Sequence, residues 1–64
     1  MPEHAITFNA YRILTDMQRH HYSYSSARLE LKNRETSNLY DTIGQESREA
    51  LRILRAMHES GEWD

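Results

Sequence analysis

The sequence predicts an all-α fold, a small bundle of two or three helices in a single domain that spans residues 1–64. Three observations favour this class. The 64 residues include only two Gly and one Pro, too few for a turn-rich β-fold. The chain has no Cys, so disulfides cannot support a miniature loop-rich fold. Two stretches carry apolar residues at the spacing of three and four positions that is typical of helices packed on one side.

The first predicted helix spans roughly residues 3–20. Pro2 suits a first-turn position, and Glu3 lies where the positive end of the helix dipole would be. His20 and His21 follow at the negative end of that dipole. The apolar residues of this stretch fall on one narrow stripe: Ile6, Ala10, Ile13, Leu14 and Met17.

The last predicted helix spans roughly residues 45–60. Glu46 and Glu49 would lie in its first turn, where acidic side chains interact favourably with the dipole. Ser60 and Gly61 provide a typical C-terminal stop. One face of this helix is apolar and consists of Ala50, Leu51, Leu54 and Met57.

The middle of the chain admits two interpretations. Helix N-caps are available at Ser23, Ser25 and Ser26, and Gly44 could end a helix. Its apolar positions would be Ala27, Leu31, Leu39, Tyr40 and Ile43. Residues 22–24 and 29–31 nevertheless alternate as a strand would, and residues 32–38 contain no apolar side chain. An isolated hairpin is at best marginally stable in water, so we favour the helical interpretation.

Charge is divided unequally along the chain, whose net charge is −2. Residues 1–34 carry five basic and three acidic side chains, whereas residues 35–64 carry three basic and seven acidic ones. A basic half and an acidic half favour self-association at least as much as an external anion. No apolar run approaches the ~20 residues of a membrane span, and no signal peptide is recognisable. We therefore predict a soluble, cytoplasmic protein with no membrane partner.

Neither a metal site nor catalysis is indicated by the motifs. His20 and His21 are adjacent, so on a helix they point about 100° apart and cannot easily hold one ion together. The sequence has no HExxH motif and no thiolate ligand, and none of its serines lies in a G-x-S-x-G elbow. We expect no metal, no cofactor and no enzymatic activity.

Two basic stretches could contact nucleic acid or an acidic partner. The first interleaves Arg19, Arg28 and Lys32 with aromatic residues, as phosphate contact combined with base stacking would require. The second stretch places three arginines on one side of the last helix, opposite its apolar face, like a helix-turn-helix recognition helix. It consists of Arg48, Arg52 and Arg55. Amphipathic helices also need a charged outer face, and DNA-binding domains are usually much more basic than this chain.

Three aromatic residues are candidates for a protein interface. Phe8 and Tyr11 project from the first helix roughly opposite its apolar stripe, and Thr15 extends their line. Trp63 lies near the C-terminal end, and Trp and Tyr are frequent anchors of interfaces. The alternative for Phe8 and Trp63 is that they fold back over a very small core.

The whole chain resembles the small open-reading-frame proteins encoded between the exonuclease and excisionase genes of lambdoid bacteriophages. The resemblance is carried by its length, by residues 5–14 of the amphipathic first helix, and by the Arg-rich last helix that ends in residues 60–64. Those proteins are associated with the choice between lysogeny and lytic growth. The resemblance implies a non-catalytic regulator in the host cytoplasm that contacts a host or phage macromolecule. It transfers no functional residues.

The predicted function is that of a small regulatory or adaptor protein that contacts another protein of the host or phage. A homodimer is expected, because a second copy would cover the apolar side chains that so small a core leaves over. The alternative is a small helix-turn-helix-like DNA-binding regulator that uses the arginine face of the last helix.

Overall fold

The computed structural model describes residues 7–63, and 79% of them are helical. Helix α1 spans Phe8–Arg19, α2 spans Tyr24–Ser37 and α3 spans Asp41–Glu59. The three helices form a compact bundle, and residues 7–63 contain no strand. The all-α prediction is therefore confirmed, and the strand-like alternation in residues 22–31 belongs to a turn and a helix.

Helix α1 begins with a side-chain cap. The Thr7 hydroxyl accepts a hydrogen bond from the backbone N–H of Ala10 at 3.0 Å, which satisfies one of the free donors of the first turn. Ala10, Leu14 and Met17 are buried, as the apolar stripe predicts. The predicted start at residue 3 is wrong, because Thr7 has an extended backbone and caps a helix that begins only at Phe8. Pro2, Glu3 and Ile6 themselves lie outside the described residues.

The end of α1 is a Schellman motif. The N–H of Tyr22 donates to the carbonyl of Met17 at 3.2 Å, and the N–H of His21 donates to that of Gln18 at 3.0 Å. His21 has a φ of 62°, in the left-handed region that favours glycine. This turn ends α1 within one residue of the predicted boundary and directs the chain toward α2.

Helix α2 begins where one of the three candidate caps predicts but ends earlier than expected. The Ser23 hydroxyl accepts from the N–H of Ser26 at 3.2 Å. The predicted end at Gly44 is wrong, because Asn38 adopts an extended backbone and its side chain bonds to the backbone groups of Tyr40. Such local bonds of Asn compete with helix continuation, so a three-residue turn separates α2 from α3.

Helix α3 begins four residues before its predicted start. Asp41 is therefore the acidic residue of the first turn, and the assignment of Glu46 and Glu49 to that turn is wrong. Glu46 instead accepts a hydrogen bond from the Asn9 side chain of α1 at 2.7 Å. Gly44 is buried within α3.

The core lies along α3, on which both other helices pack. α2 has the more extensive contact with α3, while α1 and α2 barely touch each other. Leu39, Tyr40 and Ile43, predicted as apolar positions of a buried helix face, are exposed because they flank or follow the turn after Ser37. The core consists of Ala10, Leu14, Met17, Ala27, Leu31, Ala50, Leu54 and Trp63.

A second Schellman motif ends α3 and returns the chain to the core. The N–H of Glu62 donates to the carbonyl of Met57 at 2.8 Å, and the N–H of Gly61 donates to that of His58 at 3.2 Å. Gly61 has a φ of 86°, which glycine adopts without steric cost. The reversal places the Trp63 side chain in the core, where only 8% of the residue is exposed.

Replacing either glycine with alanine should change the free energy of unfolding, in opposite directions at the two positions. At Gly44 an added Cβ would lie 3.9 Å from Cγ of Glu35, an ordinary contact. Gly44→Ala should therefore raise the free energy of unfolding by about 0.5–1 kcal/mol, the usual gain in a helix interior. Gly61→Ala should lower it by about 1–2 kcal/mol, because alanine is strained at positive φ. Urea denaturation followed by circular dichroism measures both changes, and a destabilised Gly44→Ala protein would contradict the described helix packing.

Candidate functional site

Phe8 and Tyr11 form an exposed aromatic face on α1. Phe8 is 72% exposed and Tyr11 is 58% exposed, whereas Thr15, which continues their line, is half-buried. The two aromatic side chains border an open groove of about 440 Å³ that α1 shares with Arg34 of α2. The groove exists because both helices pack on α3 and leave space between them. Phe8 and Tyr11 are thus exposed on the side of α1 opposite its core stripe, as the sequence predicts.

Basic side chains surround the aromatic face. The guanidinium carbon of Arg12 lies 5.9 Å from the centroid of the Phe8 ring, within range of a cation–π interaction. Arg19 and Asp16 also line this groove, and Arg34 forms an ion pair with Glu30 at 3.5 Å. Arg19 therefore lies beside the aromatic face and not with the other two residues of the first basic stretch.

Trp63 is not an exposed interface anchor. Its side chain packs into the core of its own chain, which corresponds to the alternative that it folds back over the core. The physical reason is the left-handed turn at Gly61, which reverses the chain two residues before Trp63. In the sequence, this reversal was indicated only by Ser60 and Gly61, which predict the end of a helix.

The structure brings the two basic stretches together between α2 and α3. Arg28 and Lys32 of α2 line one open groove with Arg52 and Arg55 of α3. We call this the basic groove; its volume is about 260 Å³, and Tyr24 and Leu51 complete its lining. Arg28 and Lys32 lie four residues apart on one helix, and Arg52 and Arg55 lie three apart on the other, so each pair shares a face.

The arginine stripe of α3 borders α2, and each of its three exposed side chains is paired with a carboxylate. Arg52 donates from one guanidinium nitrogen to both carboxylate oxygens of Glu49, at 2.9 and 3.1 Å. Arg48 does not line the basic groove and instead pairs with Glu35 of α2. The three ion pairs are Arg48–Glu35 at 2.9 Å, Arg52–Glu49 at 2.9 Å and Arg55–Glu59 at 3.9 Å.

An aromatic stack that the sequence analysis missed lies at one end of the basic groove. The rings of Tyr24 and His58 are stacked, with centroids 3.9 Å apart and planes 14° apart. The Arg28 guanidinium carbon lies 5.9 Å from the centroid of the Tyr24 ring. The contact between Tyr24 and His58 joins the start of α2 to the end of α3, so no local sequence pattern could have indicated it.

The part of the chain that the structure describes offers little metal-binding geometry. Within residues 7–63, no three side chains of His, Asp or Glu lie close enough together to hold a metal ion. None of the three helices is sufficiently long and apolar to cross a bilayer.

Comparison of the chain with protein-family models, with curated proteins and with solved structures finds no match.

Proposed function

We propose that this protein is a small non-catalytic regulatory or adaptor protein that acts through contact with another protein. The single observation that carries the proposal is the exposure of Phe8 and Tyr11 on a folded helix whose other face is fully used in the core. Leaving side chains of this size in water forgoes roughly 1.5–3 kcal/mol each relative to burial. Aromatic residues beside arginine have the composition of interface hot spots.

Self-association is part of this proposal. A chain of 64 residues buries only about 60% of the surface that its unfolded form exposes. A second copy that covers the aromatic face would add to the buried area and to stability. The resemblance to lambdoid phage proteins would place the partner among host or phage proteins and the contact in the choice between lysogeny and lytic growth.

The alternative is a DNA-binding regulator of the helix-turn-helix type. One observation supports it and several oppose it. A three-residue turn joins α2 to α3, as in helix-turn-helix units. The arginines of α3, however, lie in its middle and later turns, whereas recognition helices contact bases mainly with their N-terminal residues. All three are already paired with carboxylates, and the net charge of the chain is −2.

Replacing Phe8 with alanine tests the proposed contact surface. Phe8→Ala should weaken self-association or partner binding about tenfold or more while leaving helicity unchanged, because the side chain is exposed in the monomer. Tyr40→Ala is a matched control, since Tyr40 is an equally exposed aromatic residue (75%) outside the aromatic face. Sedimentation across a concentration series measures the dimer, and pull-down from host lysate with and without nuclease measures other partners.

Three results would contradict the proposal. The proposal would be contradicted if the protein stays monomeric at every concentration and also captures no protein from nuclease-treated lysate. Equal losses in Phe8→Ala and Tyr40→Ala would place the contact elsewhere. If Phe8→Ala melts the monomer, then Phe8 belongs to the core.

A further inference from the structure

We propose that the basic groove between α2 and α3 binds an acidic amphipathic segment of a partner protein, with carboxylates against Arg28 and Lys32 and an apolar side chain against Leu51. This surface is different from the aromatic face, so the inference goes beyond the proposed function. It would give the protein a second contact of distinct chemistry.

The chemistry of the groove fits such a segment. Its two walls carry cations from different helices, Arg28 and Lys32 on one side and Arg52 and Arg55 on the other. Leu51, half-buried at the edge of the core, supplies an apolar part of the lining. A helix or extended segment with acidic residues on either side of one apolar residue would match this arrangement of charge and apolar surface.

The charge balance leaves an excess of positive charge in the groove. Arg52 and Arg55 are partly neutralised by Glu49 and Glu59 of their own helix. Among residues 7–63, Arg28 and Lys32 form no ion pair with a carboxylate. Carboxylates of a partner would therefore meet two cations that are not paired with a carboxylate of the described part of the chain.

Nucleic acid fits the same groove less well. Single-stranded binding uses open aromatic rings on which bases stack. Here His58 covers one face of Tyr24, and the Arg28 guanidinium lies over the ring at 5.9 Å.

The experiment measures binding of a short fluorescein-labelled peptide rich in glutamate and leucine by fluorescence anisotropy. The wild-type protein should bind it with an affinity that falls as salt rises. The double variant Arg28→Gln/Lys32→Gln should bind about tenfold more weakly, since each exposed ion pair accounts for up to about fivefold. The matched control is Arg12→Gln/Arg19→Gln, which removes two positive charges from the aromatic face and should bind the peptide as the wild type does.

Three further measurements complete the test. The same peptide with glutamine in place of glutamate should bind at least about tenfold more weakly. Circular dichroism should show unchanged helicity in both double variants, because all four side chains are exposed. Leu51→Gln, which retains the cations, should also weaken binding of the glutamate peptide.

Several outcomes would overturn the inference. Equal losses in the two double variants would show that only net charge matters. Unlabelled single-stranded DNA that displaces the peptide at lower concentration than the unlabelled peptide would assign the groove to nucleic acid. A protein that binds no peptide but loses self-association in Arg28→Gln/Lys32→Gln would assign it to a second copy. Peptide binding is measured independently of self-association in Phe8→Ala, so the two proposals can fail separately.

Discussion

Replacing Leu31 with alanine should lower the free energy of unfolding by about 2–5 kcal/mol. Leu31 is 0% exposed and packs at the centre of the contact between α2 and the rest of the core. Its loss removes apolar burial and leaves a cavity that the neighbouring side chains fill only in part. A domain of this size has about 3–10 kcal/mol of stability in total, so Leu31→Ala should lose a large share of it and melt at a markedly lower temperature.

The control for Leu31→Ala is the same substitution two residues earlier. Leu29 lies on α2 as well but is 61% exposed, so Leu29→Ala should change the free energy of unfolding by no more than about 0.5 kcal/mol. Thermal and urea denaturation followed by circular dichroism compares the two. Similar losses in both variants would mean that α2 does not present the described face to α3.

Trp63→Ala should destabilise the domain by about 3–5 kcal/mol, even though the residue lies next to the end of the chain. An aromatic side chain of this size buries about 150–250 Å² in a core. Its Nε1 is buried and has no hydrogen-bond partner among the described residues. Trp63→Phe should therefore recover most of the stability, because it keeps most of the apolar area and loses no hydrogen bond.

Tryptophan fluorescence tests the burial of Trp63 directly, since it is the only tryptophan in the sequence. Its fluorescence emission should be blue-shifted in the native protein and should move to longer wavelength with the same midpoint as the loss of helicity. An emission maximum typical of exposed tryptophan, together with an unchanged melting temperature in Trp63→Ala, would return Trp63 to the list of interface candidates.

The parts of the fold that sequence reasoning predicted are those determined by local periodicity. The stripe of Ala10, Leu14 and Met17 predicted the buried face of α1, although the helix begins five residues later than expected. The Ser60-Gly61 stop placed the end of α3 within one residue. The boundary between α2 and α3 was wrong, because Gly44 was interpreted as a stop. A lone glycine lowers helix stability by about 1 kcal/mol but does not by itself end a helix. The boundary is set instead by the bonds of the Asn38 side chain to Tyr40.

The candidate surfaces were only partly predictable for the same reason. Exposure of Phe8 and Tyr11 follows from their position opposite the core stripe of one helix, which is a local property. The meeting of Arg28 with Arg52 depends on how two helices pack, so sequence reasoning named both residues but not the groove. The burial of Trp63 depends on a chain reversal. Ser60 and Gly61 indicated that the helix ends there, but not that the following residues return to the core.

The packing of α1 and α2 on α3, with little contact between themselves, has a consequence for folding. α2 and α3 are consecutive and joined by a three-residue turn, so their pairing requires closure of only a short loop. α1 has the less extensive contact with α3, so it should open at a lower free energy than the whole domain.

An opened α1 would swing about the turn that contains His21, whose left-handed backbone stores conformational strain. Two opened chains could then exchange their first helices, each α1 docking on the α3 of the other copy through the contacts that it makes within one chain. Such an exchange would produce a dimer without any new interface, and it would leave the aromatic face of each α1 as exposed as in the monomer.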